Sequence, residues 1–147
     1  MPVDRYEFGG LLFSVVFEFS KIQRYLSNNA GLYSGQPRVL TILKDNEGCT
    51  LSELSQLCGI GMPSLSVSVR NMEKNGLIYK QTDENGNWMQ NLYLTKSGWE
   101  KAMIFHEQID QFYKEFLDSL DEDGAEQLNE NLLRMKEYFR EFNLARE

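Results

Sequence analysis

The sequence has very few cysteines and histidines and no long hydrophobic run. Cys49 and Cys58 are its two cysteines in 147 residues, and His106 is its single histidine. Two cysteines make no disulfide framework, and one histidine without a cysteine pattern makes no zinc site. No stretch of about 18 apolar residues occurs, so no membrane span is expected. The first ten residues lack the basic-then-apolar layout of a secretory signal, and we expect a cytoplasmic protein.

The sequence also lacks an excess of basic residues, and its formal net charge is −7. Residues 1–49 contain five basic and five acidic residues, and residues 50–96 contain four of each. Residues 97–147 contain six basic and thirteen acidic residues. Because charge interactions are screened over a Debye length of about 8 Å, this distant acidity does not exclude DNA as a partner. A neutral middle segment nevertheless predicts modest affinity for DNA.

Patterns typical of catalysis are missing as well. The sequence has no Ser-His-Asp arrangement, no glycine-rich phosphate loop and no paired-carboxylate constellation. We therefore expect no enzyme activity, no metal and no cofactor.

Residues 50–76, TLSELSQLCGIGMPSLSVSVRNMEKNG, predict two short helices joined by a tight turn. Thr50 and Glu53 have the spacing of a capping box, and Gly59 can end the first helix in a left-handed conformation. Pro63 suits the opening turn of the second helix, which Gly76 ends. An apolar stripe on that second helix consists of Leu65, Val69 and Met72. This layout predicts a helix-turn-helix, whose second helix can enter a DNA major groove.

Two segments with strand-forming residues follow this helix-turn-helix. They are residues 77–82, LIYKQT, and residues 88–94, WMQNLYL. Between them lies DENGN, where Asn85-Gly86 is a strong signal for a β-hairpin turn. The sequence therefore predicts a mainly α protein with a small β-hairpin wing, a winged helix-turn-helix.

Apolar stripes at both ends of the chain predict long amphipathic helices. The first stripe is Phe8, Leu12, Val15, Phe19, Ile22 and Leu26. We expect Ser34 to cap the next helix. Beyond the wing, two more stripes lie on helices that we expect Thr95 and Asp121 to cap. They are Ala102, Phe105, Ile109, Phe112, Phe116 and Leu120, and then Leu128, Leu132, Met135, Phe139 and Phe142. A single winged helix offers too little surface to cover all three stripes, which favours a homodimer over a monomeric helical core. We predict one domain, 1–147, with a winged-helix part at 32–100 and helical dimerisation parts at 1–31 and 101–147.

The segment from Leu32 to Ala102 resembles the MarR family of bacterial transcriptional regulators. LYSGQPRVLTIL is similar to the family's helix before the helix-turn-helix, and ELSQLCGI to its first reading helix. RNMEKNGLI and LTKSG resemble the exits from the recognition helix and from the wing. The resemblance implies a dimeric winged-helix repressor or activator that is often relieved by a small aromatic ligand or by oxidation.

Two positions depart from the family pattern. The family's wing commonly ends with an arginine that enters the minor groove, whereas Gly86, Asn87 and Trp88 stand at these positions. The middle of the recognition helix often carries an arginine, and Val67 stands there; it can contact a thymine methyl group or be a plain surface valine. We predict that DNA contacts come from the recognition helix, 63–75, and the wing tip. The candidates are Pro63, Ser64, Ser66, Val67, Arg70, Asn71, Lys74, Asn85 and Asn87.

Several of these candidates also have structural interpretations that do not involve DNA. Arg70 can pair with Glu73 on a solvated face, and the two serines can be local caps. An effector could lie among Phe13, Phe17, Phe105 and Phe112, although aromatics at helical spacing are more often core, so the ligand residues are unknown. Oxidation sensing is disfavoured because no Lys or Arg lies within several residues of either cysteine.

Two functions remain open. The first is a cytoplasmic, sequence-specific regulator that acts as a homodimer on a pseudo-palindromic operator in double-stranded DNA. The alternative is a winged-helix dimer with weakened DNA binding that serves as a protein-interaction or ligand-sensing module.

Overall fold

The computed structural model describes residues 3–82, 86 and 90–146. Within these residues the helices and strands are, in chain order, α1 (Arg5–Asn29), α2 (Gln36–Asp45), α3 (Leu51–Cys58), α4 (Met62–Lys74), β1 (Ile78–Thr82), β2 (Gln90–Leu94), α5 (Lys96–Asp118) and α6 (Glu122–Leu144). The two strands pair antiparallel, with Ile78 opposite Leu94 and Thr82 opposite Gln90. A helix-turn-helix followed by a hairpin confirms the predicted winged-helix fold. No helix in the described part of the chain is both long and apolar enough to cross a membrane.

The chain forms two compact units, Met1–Ile109 and Asp110–Glu147. The core of the first unit lies mainly in the segment 32–100, which we call the head. The buried apolar residues of the head are Leu32, Val39, Leu40, Leu43, Leu54, Cys58, Leu65, Val69, Met72, Leu77, Ile78, Leu92 and Leu94. Further buried apolar residues come from the end of α1, the turn that follows it and the first part of α5: Leu26, Ala30, Ala102, Phe105 and Ile109. Both the helix-turn-helix and the hairpin therefore contribute to one hydrophobic core.

The predicted signals at the two ends of α3 are present. Thr50 Oγ1 accepts a hydrogen bond from the Glu53 N–H at 3.3 Å, and the Glu53 carboxylate accepts one from the Thr50 N–H at 2.7 Å. This is the reciprocal capping box expected from the spacing. Gly59 follows the helix with φ 63°, the left-handed conformation that favours glycine.

The start of α2 differs from the prediction. The N-cap is Gly35 rather than Ser34, and it makes no side-chain cap. Gly35 has φ 88°, so the chain turns into the helix through a conformation that a serine rarely adopts. The buried Gln36 side chain accepts the Tyr33 N–H at 2.9 Å and so stabilises this turn. The prediction of Ser34 as the cap was wrong because it did not consider the glycine that follows.

The start of α5 lies very close to the exit from α4. Thr95 Oγ1 accepts the Gly98 N–H at 3.0 Å, as predicted, and donates to the Gly76 carbonyl oxygen at 2.6 Å. A Cβ at Gly98 would lie 2.1 Å from the Leu77 carbonyl oxygen. Only glycine therefore fits where α5 passes this backbone.

The terminal helices leave much of their apolar surface exposed. In α1, Phe8 and Val15 of the predicted stripe are 48% and 57% exposed. Asp121 caps α6 as predicted, by accepting the Gly124 N–H, but no described residue of α6 is buried. The large exposed apolar residues of the second unit are Tyr113, Phe116, Leu117, Leu132, Leu133, Tyr138, Phe139, Phe142 and Leu144.

Candidate nucleic-acid interface

One face of α4 packs into the core and the other faces solvent. Leu65, Val69 and Met72 are each no more than 1% exposed, as their spacing predicts. The exposed residues on the outer face are Pro63, Ser64, Val67, Arg70, Asn71 and Lys74. These are six of the seven contacts predicted on this helix, so the structure places them together on one accessible surface. We call them the α4 outer face.

Ser66, the seventh predicted contact on α4, lies apart from this surface. Its side chain is half-buried and lines a cavity of about 300 Å³. Thr50, Leu51 and Ser52 of the α3 start also line this cavity, as do Val69 of α4 and Lys80, Gln90 and Leu92 of the hairpin. Ser66 therefore faces the hairpin side of α4 rather than its outer face.

The wing tip lies mostly outside the described residues. Asn85 and Asn87, the two predicted wing contacts, belong to this undescribed part, as does Trp88. Gly86 is described and has φ 70°, a positive value that a type I′ hairpin turn requires at its second central residue. The wing contacts therefore remain predictions from the sequence.

The turn between α3 and α4 is held by two side chains that the sequence analysis did not assign to it. Ser55 Oγ donates to the Ile60 carbonyl oxygen at 2.6 Å. Arg38 Nε and Nη2 donate to the Cys58 carbonyl oxygen at 3.0 and 2.9 Å. Arg38 lies on α2, 20 residues before Cys58, so no local spacing could have identified this contact. Together these bonds fix the chain direction that sets the position of α4.

An ion pair joins α4 to the wing. Lys80 Nζ of β1 lies 2.9 Å from Glu73 Oε2 of α4. The pairing of Arg70 with Glu73, which the sequence left open, does not occur: within residues 3–82, 86 and 90–146, Arg70 has no ion pair or hydrogen bond. The guanidinium of Arg70 is therefore exposed on the α4 outer face, next to a carboxylate that is already neutralised.

The α4 outer face carries a small positive charge. Arg70 and Lys74 are its two cations, and Glu73, which flanks the face, is offset by Lys80. The second unit is strongly acidic, with eleven acidic and five basic residues in the sequence 110–147. A surface with two cations can contact only a few phosphates, so its affinity for nucleic acid would depend moderately on salt.

The surroundings of both cysteines are typical of unreactive thiols. Burial raises the pKa of Cys58, and the nearby Arg38 guanidinium opposes this only in part. Burial and the negative charge of Glu53 also raise the pKa of Cys49. A thiol with a raised pKa forms little thiolate, which argues against oxidation sensing at either residue. Among the described residues, no cluster of His, Cys, Asp or Glu could hold a metal ion.

Comparison with known proteins gives one family match. The family model described as "MarR family" matches residues 30–86, which run from the turn after α1 to Gly86 in the wing. No curated protein matches the sequence.

Solved structures share the fold over nearly the whole chain. The Staphylococcus aureus MepR–DNA complex is similar with a TM-score of 0.80 and 22% identity, over 93% of this chain and 99% of that one. Streptococcus pneumoniae FabT in complex with DNA gives a TM-score of 0.84 at 16% identity, over 95% and 99%. Staphylococcus aureus MarR in complex with salicylate and kanamycin gives 0.78 at 17% identity, over 92% of each chain.

Proposed function

We propose that the chain is a cytoplasmic transcriptional regulator of the MarR family, whose model matches residues 30–86, and that it binds double-stranded DNA as a homodimer. One observation carries the proposal: α4 presents a polar and basic outer face directly opposite its buried stripe. This is the arrangement with which the second helix of a helix-turn-helix enters the major groove. The MepR and FabT structures with DNA support the same use of the fold.

In this proposal the residues of the α4 outer face divide into two kinds of contact. Arg70 and Asn71 can read base edges, since arginine pairs with guanine and asparagine with adenine. Lys74 and Ser64 suit phosphate oxygens, and Val67, 54% exposed, suits a thymine methyl group. The wing tip with Asn85 and Asn87 would approach the adjacent minor groove.

The dimer accounts for the exposed apolar surface of the terminal helices. Phe8 and Val15 of α1 and Phe139 and Phe142 of α6 are all between 45% and 57% exposed in the single chain. Exposed apolar surface of this kind on a helix usually marks an interface. A second copy would bury it with two-fold symmetry, and two copies of α4 would then suit half-sites about 34 Å apart in a pseudo-palindromic operator.

We further propose that a small aromatic molecule binds the protein as its effector. A cavity of about 430 Å³ in the first unit is lined by apolar Leu32 and Leu77, aromatic Tyr33, and polar groups that include Gln36 and Lys101. Its volume and mixed lining suit a small ring with one polar substituent. Salicylate, which the Staphylococcus aureus MarR structure contains, is the first probe, and Tyr33→Ala should abolish any thermal stabilisation by it.

Selection of bound duplexes from random-sequence DNA tests the proposal. The wild-type protein should select a pseudo-palindrome, and its affinity should fall between about 50 and 200 mM salt with the moderate slope of a few phosphate contacts. Lys74→Ala should lower the salt slope by about one, and Arg70→Ala should relax the base preference at one position of each half-site. Lys114→Gln in the acidic second unit should leave both unchanged. If no duplex is retained even at low salt, the neutral head favours the alternative, a winged-helix dimer that serves as an interaction module.

A further inference from the structure

The Glu73 carboxylate pairs with a cation of β1, and a second cation stands about one helical turn before it on α4. Lys80 of β1 holds it at 2.9 Å, with the two side chains 29% and 39% exposed. Arg70 stands three residues before Glu73 on α4, and residues at this spacing are neighbours on a helix surface. Glu73 pairs with Lys80 of the wing, and among the described residues it forms no ion pair with Arg70.

The lack of an ion pair between Arg70 and Glu73 has a consequence for DNA binding. An Arg70 guanidinium paired with Glu73 would have to break that pair before it could contact a base or phosphate. A released Glu73 carboxylate beside the α4 outer face would also repel the DNA backbone. Both effects are avoided as long as Lys80 holds Glu73.

We propose that Lys80 is a positioning residue for DNA binding, which keeps Arg70 available by holding the Glu73 carboxylate against the wing. The inference rests on the proposed function and deepens it, because it assigns a role to a residue that need not contact DNA itself. The effect runs through Glu73 to Arg70, so it makes a prediction about combinations of variants that a direct contact by Lys80 does not make.

The experiment measures the dissociation constant for the duplex that the wild-type protein selects. Lys80→Gln keeps the aliphatic stem and removes the charge, and it should weaken binding about two- to fivefold, the size of one half-exposed ion pair. The double variant Glu73→Gln/Lys80→Gln should bind within about twofold of wild type, because no carboxylate is left to capture Arg70. In an Arg70→Gln background, Lys80→Gln should cause a clearly smaller loss, because only the repulsion between Glu73 and the DNA backbone remains.

Lys114→Gln is the matched control. Lys114 also pairs with a carboxylate on the protein surface, that of Asp118, so its loss removes one charge and one ion pair without touching α4. It should leave the dissociation constant unchanged, and Lys80→Arg, which can still pair with Glu73, should bind like wild type.

Two results would overturn the inference. Equal losses in Lys80→Gln and in the double variant would show that Lys80 acts directly on DNA. A loss in the Arg70→Gln background as large as in the wild-type background would show that Arg70 is not the residue affected. Thermal unfolding of each variant separates these results from misfolding. If Lys80→Gln does not fold, Glu73→Gln alone decides: its affinity should equal or exceed that of wild type, and a fall contradicts the inference. If the wild-type protein selects no duplex, the proposed function itself fails, and this inference fails with it.

Discussion

In the head, residues 32–100, every helix and both strands contribute to a buried core, whereas α6 contributes no buried residue among those described. Both regions have clear apolar stripes in the sequence. In the head the stripes of α2, α3 and α4 meet one another and the hairpin, and Leu40, Leu43, Leu54 and Leu65 reach 0% exposure. In the terminal helices an equally regular stripe leaves Phe139 at 45% and Phe142 at 49% exposed.

The difference shows that a periodic apolar stripe predicts that its residues are buried, but does not identify the surface that buries them. The head provides its own partner surfaces, because its helices are short and joined by tight turns. The longer α1 and α6, of 25 and 23 residues, have more apolar surface than the chain covers. In our proposal a second copy covers the rest, and the predictions below test the two regions separately.

Phe139→Glu should have the largest effect, because it would place a carboxylate in the proposed dimer interface. Burying an unpaired charge there in both copies should cost more than about 3 kcal/mol, or at least a 100-fold increase in the dimer dissociation constant. Sedimentation equilibrium measures this constant directly. Asn129→Glu adds the same charge to α6 away from the stripe and should leave the dimer intact. A wild-type chain that sediments as a monomer would contradict the proposal outright.

Gly98→Ala tests the head in the same way, but within one chain. Its new Cβ would meet the Leu77 carbonyl oxygen at 2.1 Å, a backbone atom that cannot turn aside. We expect a loss of about 3 kcal/mol in the free energy of unfolding, at the upper end of what overpacking costs. The measurement is chemical denaturation at several protein concentrations. The loss should be the same at each concentration, since the clash does not involve a second chain.

Gly10→Ala is the matched substitution in the terminal region and should have the opposite sign. Nothing lies within 4 Å of a Cβ at Gly10, which lies in the second turn of α1. Alanine should therefore stabilise the protein by about 0.5–1 kcal/mol, through its higher helix propensity. Denaturation curves for the two glycine variants compare the regions directly. A destabilising Gly10→Ala would indicate that another surface packs closely against this part of α1.

Most of the head could be predicted from the sequence because its signals are local. The capping box at Thr50, the end of α3 at Gly59 and the stripe of α4 all involve residues within a few positions of one another, and each is confirmed. The contacts that were missed join different helices and strands: Arg38 of α2 with Cys58 of α3, and Glu73 of α4 with Lys80 of β1. Spacing along the chain carries no information about such pairs.

The same distinction between local signals and contacts across elements applies to the candidate interface. Helical periodicity accounts for the six predicted contacts that share the α4 outer face, because position on a helix follows from residue number alone. The same periodicity could not show that Ser66 lines a cavity against the hairpin, since this depends on where β1 and β2 lie. Which of these residues contact DNA remains a prediction that the binding experiments test.

The smallest effect should come from the pH dependence of the α3 capping box, which tests whether a local signal in the head acts independently of the terminal helices. The Thr50 N–H, and then its hydroxyl, stabilise the ionised Glu53 carboxylate and lower its pKa below the ordinary value of 4.5. A carboxyl group with a lowered pKa in the folded state stabilises the protein above the unfolded-state value, and this contribution is lost as the pH falls through the folded-state value.

Glu53→Gln keeps an oxygen that can accept the Thr50 N–H but has no charge to lose. The difference in unfolding free energy between wild type and this variant should therefore be constant at neutral pH and shrink as the pH falls below 4.5. Urea denaturation at a series of pH values measures it. Because the capping box involves only Thr50 and Glu53, the same shrinkage should remain when Phe139→Glu is added and the dimer is lost. If it disappears in that background, α3 depends on the second copy, and the head is less self-contained than its buried core indicates.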